Sequence, residues 1–297
     1  RRTLYSKEKS VIEAINAQNQ RYMRLLEPIQ GAAWIDRGEV DEALQYLEGY
    51  GNKRAVLISG QAGVGKSVAL GQIIRRIREK EYPHLYFRID RLDPEKLPER
   101  IGTQMGLPAP PVEILAGLAD GRTCVLVIDQ LDAVSMVSGR NPEFFDCIHE
   151  IIRKVEVFPN MRLIMACREF DLDKDNRLRE LVAEKGIAKE VKIGLLAQNS
   201  VRQVLDCNGI DGKACPDHQV ELMRLPLNMK VYLEVMAGRK GVPRLVTSVV
   251  SLFDAFWAMK RTSVSERIKP KEVKWEAVVD ALIDRMMQKQ ALFAPAT

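Results

Sequence analysis

Histidine is scarce in this sequence and cysteine is unpatterned. The three histidines, His84, His149 and His218, are far apart, and the five cysteines never fall as C-x-x-C. That spacing gives no support to a zinc site or a disulfide framework. Cys124 and Cys167 lie in apolar, strand-like runs, where a thiol acts as a small hydrophobe. Cysteine usage of this kind fits a reducing cytoplasm. No apolar run approaches the roughly eighteen residues of a membrane span, so no membrane association is expected. The opening stretch, RRTLYSKEKSVIEAINAQNQ, is polar and mixed in charge, unlike a secretory signal. It has no initiator Met, which suggests a processed product or an excised fragment. Internal repeats and low-complexity tracts are also lacking.

What remains is ordinary globular composition. The 297 residues are 46% hydrophobic and 29% charged, enough for one large or two medium domains. The net charge of +5 comes mostly from the part after Gln198, and residues 260–274 are its most basic segment. Such a run can meet nucleic acid, but more often it is a solvated loop and helix start, and the second is expected here.

Apolar residues at helical spacing mark helices over residues 6–28 and in EVDEALQYLEGYG, with a glycine stop at 49–51. Strands are expected at 54–59, 84–90, 124–128, in MRLIMACRE and in AKEVKI, separated by helices at 66–80, 94–105, 112–118, 143–155 and 177–184. Alternation of this kind argues a parallel sheet covered by helices. After residue 195 the pattern is helical only, at 198–206, 216–223, 228–237, 243–260 and 273–289. The shift places a domain boundary near 195–199. The expected fold is α/β: a five-stranded parallel sheet covered by helices, then an all-helical lid domain. The expected divisions are a helical linker over 1–30, the sheet domain over 31–195 and the lid over 196–297.

The most specific signal is AVLISGQAGVGKSVALGQIIRRI, residues 55–77. An apolar strand runs into a loop with Gly60, Gly63 and Gly65, then Lys66 and Ser67, then a helix pattern. Glycines let successive N–H groups curl around an anion. The helix start adds unpaired N–H groups and the positive end of its dipole. Lys66 supplies a cation for the β- and γ-phosphates, and the Ser67 hydroxyl is placed to ligate Mg²⁺. Gly60, Gln61, Ala62, Gly63, Val64, Gly65, Lys66, Ser67 and Val68 form the candidate ATP-binding set.

Three further positions complete the site. Asp129 ends the strand of VLVIDQLD, where a carboxylate can hold Mg²⁺ directly or through water. Gln130 follows it and cannot act as a base. Asp132, three positions on, is the candidate for polarising water. Arg168 ends the strand of MACRE, at a point from which it could reach a γ-phosphate. Its competing role is a surface ion pair with Glu169 or Asp171.

GQAGVGKS, VLVIDQLD, MACRE and RLPLNMKVYLEV together resemble the STAND NTPases, the signal-transducing relatives of AAA+ ATPases that include the NACHT and NB-ARC groups. The resemblance runs from about residue 34 onward. It implies that Ile35 and Arg37, in WIDRGEVDEALQYL, flank the adenine, and that Pro226, in LPL, packs on the base as part of the lid. Asp36 stands where the family usually has Gly, and Ala133 where an acid is common. The tail looks like the helical segment before a winged helix, with sensor and effector domains of a longer chain expected outside this sequence. The resemblance implies a slow Mg-ATP-dependent switch that self-associates on activation, of the kind found in antiviral sensors. The alternatives are an AAA+ ATPase acting on DNA, of origin-recognition or transposition type, and a scaffold that binds ATP without turning it over.

Overall fold

The computed structural model describes residues 5, 8–25, 35, 37–48, 53–138, 141–237, 246–267 and 275–288. In chain order its elements are α1 (Lys9–Leu25), α2 (Gly38–Leu47), β1 (Ala55–Ser59), α3 (Lys66–Glu79), β2 (His84–Arg88), α4 (Pro98–Gln104), α5 (Pro111–Ala119), β3 (Cys124–Asp129) and α6 (Phe145–Lys154). Then come β4 (Met161–Ala166), α7 (Glu169–Lys174), α8 (Asn176–Glu180), β5 (Ala188–Lys192), α9 (Gln198–Cys207), α10 (Asp217–Met223), α11 (Pro226–Met236), α12 (Val249–Arg267) and α13 (Trp275–Gln288).

The five strands form one parallel sheet in the order β2-β3-β4-β1-β5. Its central strands are largely apolar because both faces are covered. Every residue of β1 and β3 is buried. Side chains alternate across the pleat, so Ala55 and Leu57 enter one core while Val56 and Ile58 enter the other. The first core takes residues of α1, α4, α5, α6, α7 and α8, and the second takes residues of α2 and α3 together with Tyr22 of α1. Each fully buried Leu or Ile contributes about 1.5–3 kcal/mol. Together they fix the carboxyl edge of the sheet, where the candidate site lies.

A third core lies in the helices after β5. Val201, Leu205, Val220, Met223, Tyr232 and Leu252, from α9 to α12, are its buried centre. Ile35 packs against this core from the start of the chain. Among the described residues all five strands precede residue 193, and no helix is long and apolar enough to cross a membrane.

Several boundaries differ from the sequence expectation. The second strand stops at Arg88, where a short 3₁₀ turn, Ile89–Arg91, begins. Arg88 bonds Asp90 through two nitrogens, Nε and Nη2, at 2.9 Å each, and so closes that turn. The next helix starts at Pro98 rather than 94, since proline suits the first helical position. Pro226 likewise opens α11 two residues before the expected start. A short helix, α7, begins at Glu169, the last residue of the expected strand MRLIMACRE, and fills a stretch to which no element was assigned. α12 runs on past the expected end at 260 to Arg267, so Arg261 lies on a helix rather than a loop, and Lys260 pairs with Glu234 at 2.9 Å. The expected glycine stop at 49–51, the Asp36 position, residues 243–245 of the expected 243–260 helix and residues 268–274 of the basic segment lie outside the described residues.

Candidate nucleotide site

The site is built where β1, β3 and β4 end. Between β1 and α3 the loop turns through left-handed backbone at Gly63 (φ 79°) and Gly65 (φ 96°). A side chain is strained at either angle, and at Gly63 a Cβ would lie 2.8 Å from Leu227 Cβ. Gly65 caps the fourteen-residue α3, whose first N–H groups therefore lack partners within the helix. Lys66 Nζ donates to the carbonyls of Gly60 at 2.8 Å and Gln61 at 3.1 Å. Burial holds its pKa below the usual lysine value. A partly desolvated ammonium whose hydrogen-bond partners among the described residues are carbonyls is suited to receive an anion. Gln61, Ala62 and Val68 are exposed and Val64 is buried, so the loop keeps one edge open.

Asp129 and Ser67, the candidate metal ligands, meet where β3 ends beside the start of α3. Asp129 is 1% exposed. Its Oδ1 accepts from the Gln130 amide at 2.8 Å, while Oδ2 accepts from Tyr22 Oη at 3.1 Å and from Ser67 Oγ at 3.5 Å. Burial raises the Asp129 pKa, and the Arg88 charge is the largest effect opposing that rise. Adjacent oxygen donors of this kind, on a helix start that also receives phosphate, fit Mg²⁺, which binds through few protein oxygens plus substrate phosphate. Among the described residues no group of three or more His, Cys, Asp or Glu could hold a metal. Gln130 is left-handed (φ 61°), and its amide is fixed on Asp129.

The second corner holds Asp132 and Arg168. They face each other across β3 and β4, with Arg168 Nε 3.1 Å from Asp132 Oδ2. The Arg168 side chain is 47% exposed and that of Asp132 only 7%. Burial raises the Asp132 pKa and the Arg168 charge opposes the rise. The expected competing partners of Arg168 are engaged elsewhere. Glu169 pairs with Lys192, and Asp171 accepts from Ser138 Oγ at 2.6 Å. Arg168 also borders a 390 Å³ recess with Gln61, Ala62, Glu169, Phe170 and Asp171. The two residues expected to polarise water and to read the γ-phosphate thus neutralise each other, a pairing that sequence spacing does not reveal.

Two parts of the chain close on the loop from outside. Arg37, 9% exposed, donates through Nη1 to Gly194 O at 2.9 Å and through Nη2 to Val64 O at 3.1 Å. It therefore clamps the loop to the segment leaving β5. Ile35 accepts from Gln72 of α3 at 2.7 Å through its carbonyl. On the other side the start of α11 docks on the loop. Leu227 N donates to Gly63 O at 3.1 Å, and Pro226 Cγ lies 3.5 Å from where a Gly65 Cβ would be.

Tyr22, Leu227 and the Arg37 clamp were not legible as site features. Tyr22 reads in sequence only as one more apolar position on a helix.

The NACHT domain family profile matches residues 54–211. No curated protein matches the chain. Among solved structures, a Walker-type ATPase of Pyrococcus abyssi is 12% identical with a TM-score of 0.50, over 79% of this chain and 74% of that one. The Aeropyrum pernix ORC1 protein in complex with DNA is 15% identical with a TM-score of 0.46, over 82% and 70%. Domain III of the Thermotoga maritima replication initiation protein DnaA is 13% identical with a TM-score of 0.44, over 75% and 95%. At these identities the likeness is one of fold.

Proposed function

Since the chain belongs to the NACHT family of P-loop NTPases, we propose that it is a slow, Mg-ATP-dependent switch in which the γ-phosphate is read by the Arg168–Asp132 pair. The observation that carries this is the ion pair itself, half-exposed at Arg168 and buried at Asp132, at the mouth of the loop. In the proposed cycle the loop amides and Lys66 bind the β-phosphate of ATP or ADP alike. Only ATP brings a third phosphate to Arg168. Arg168 then turns from Asp132 to that phosphate, because a charge-assisted bond to a dianionic group replaces one to a single carboxylate. Asp132, released from its cation, accepts a proton from the attacking water. Ser67 and Asp129 would hold Mg²⁺, which supplies charge neutralisation between the β- and γ-phosphates.

The start of α11 rests on Gly63 and Gly65, so movement of the loop has a direct route to the helices after β5. Those helices, residues 196–297, act as the lid, residues 31–195 as the nucleotide domain and 1–30 as the linker. Pro226 packs on the base and Ile35 flanks it, while Arg37 holds the phosphate loop against the segment leaving β5. ATP-driven displacement of the lid permits self-association and activates an effector domain, with a trigger received by a sensor domain, in antiviral defence within the cytoplasm. The test is light scattering of the protein with ADP and with a non-hydrolysable ATP analogue. Assembly with the analogue alone is expected, and assembly with neither or with both nucleotides equally would overturn the switch.

The non-hydrolysing scaffold remains the second reading, because Asp132, the candidate base, is occupied by Arg168. Single-turnover hydrolysis separates the two.

A further inference from the structure

The residues of α1 are joined to the metal corner by side chains. β2 is an edge strand of the sheet, and alternate residues turn their backbone groups outward, away from β3. α1 covers that edge with amides. Asn19 Nδ2 donates to His84 O at 2.9 Å, and Asn19 Oδ1 accepts from Tyr86 N at 3.0 Å. Gln18 Nε2 donates to Tyr86 O at 3.3 Å. These bonds satisfy groups that an edge would otherwise leave open, and they fix how far along the strand α1 sits. One helical turn beyond Asn19, the same helix delivers Tyr22. Its ring lies 5.7 Å from that of Tyr86, and its hydroxyl donates to Asp129 Oδ2 at 3.1 Å. Tyr22 is 2% exposed.

The bond falls on the one Asp129 oxygen that faces Ser67. Oδ1 is already held by the neighbouring amide. Without the phenol, Oδ2 would keep only Ser67, at 3.5 Å, the outer limit of a hydrogen bond. Tyr22 thus fixes the plane of the carboxylate that points at the metal position. Groups that hold a ligating carboxylate in this way tune metal affinity as well as geometry.

We propose that Tyr22 is a positioning residue for Mg²⁺, set in place by the Asn19 and Gln18 bonds of α1 to β2, so that the helix before the nucleotide domain is part of the metal site. The proposal rests on the assignment of Ser67 and Asp129 as the Mg²⁺ holders. Tyr22→Phe keeps the ring and removes only the hydroxyl. The experiment titrates a fluorescent non-hydrolysable ATP analogue into wild type and variant, first in EDTA and then at stepped Mg²⁺ concentrations. Melting temperature is recorded in EDTA alongside.

The expected result is unchanged analogue affinity in EDTA and a Mg²⁺ half-saturation raised by about tenfold in the variant. A purely structural hydroxyl would lower the melting temperature and weaken binding equally with and without Mg²⁺, and that outcome overturns the proposal. So does an unchanged Mg²⁺ half-saturation. If wild type itself shows no Mg²⁺ dependence, the Ser67–Asp129 assignment fails instead, and the role of Tyr22 fails with it.

Discussion

Two acids leave β3 three residues apart and enter opposite environments. At Asp129 every oxygen is held, by an amide, a phenol and a serine, and the residue is closed off from solvent. At Asp132 the carboxylate is also buried, but its partner is an arginine with nearly half its side chain in water. The first corner is held on all sides, whereas turning Arg168 away from Asp132 would unpack no core. Burial raises both carboxyl pKa values, and a charged arginine opposes the rise at each, Arg88 at Asp129 and Arg168 at Asp132. Only the latter cation is free to move toward a ligand, since Arg88 is tied to Asp90 by two bonds. A fixed corner suits a metal, and a movable one suits a sensor.

This contrast is open to direct attack by substitution. The largest effect is expected at Asp132→Ala, which should slow single-turnover hydrolysis by about 100-fold or more while leaving ATP affinity nearly intact. Loss of affinity without loss of turnover per bound ATP would exchange the roles of the two corners. Lys66→Ala should weaken ATP binding by about 1.5–3 kcal/mol, and calorimetry showing unchanged affinity would remove the phosphate site altogether. Asp129→Ala should abolish the Mg²⁺-dependent part of ATP affinity, on the order of tenfold, and leave binding in EDTA alone. A drop of equal size in EDTA would mean that Asp129 supports the loop rather than the metal. The smallest effect is expected at Arg37→Lys. A lysine offers one nitrogen where the guanidinium reaches Gly194 O and Val64 O through two, Nη1 and Nη2, set apart in a planar fork. The loss of one bond, about 0.5–1.5 kcal/mol, should lower the melting temperature by only a few degrees. A large fall in ATP affinity with no change in melting temperature would instead place Arg37 on the base rather than in a clamp.

The same contrast explains what the sequence disclosed. The sheet was legible because its central strands are nearly continuous apolar runs, 124–128 above all, and because glycine is required where the loop turns left-handed. The order of the strands, and hence the placing of β4 between β1 and β3, was not written in any local pattern. Gly60 to Ser67 and Asp129 were legible as a spaced motif. The Arg168–Asp132 pair was not, because its partners come from different strands and nearer acids, Glu169 and Asp171, compete in sequence. Tyr22 was hidden for a related reason. Its ring follows the helical apolar period, and only the hydroxyl, which periodicity ignores, reaches the site. Arg37 was read toward the base from family resemblance, while its guanidinium bonds the loop and the β5 exit. α7 was missed because six residues rich in charge carry no helical stripe.

The central claim is that Arg168 distinguishes three phosphates from two, and the most direct measurement is paired titration of ADP and a non-hydrolysable ATP analogue into wild type and Arg168→Ala. The ADP affinity of the variant should match wild type, its preference for the analogue should be largely lost, and light scattering should show no assembly when the analogue is added. An Arg168→Ala chain that keeps its preference for the analogue and still assembles would contradict the claim and leave Arg168 only the ion-pair partner of Asp132.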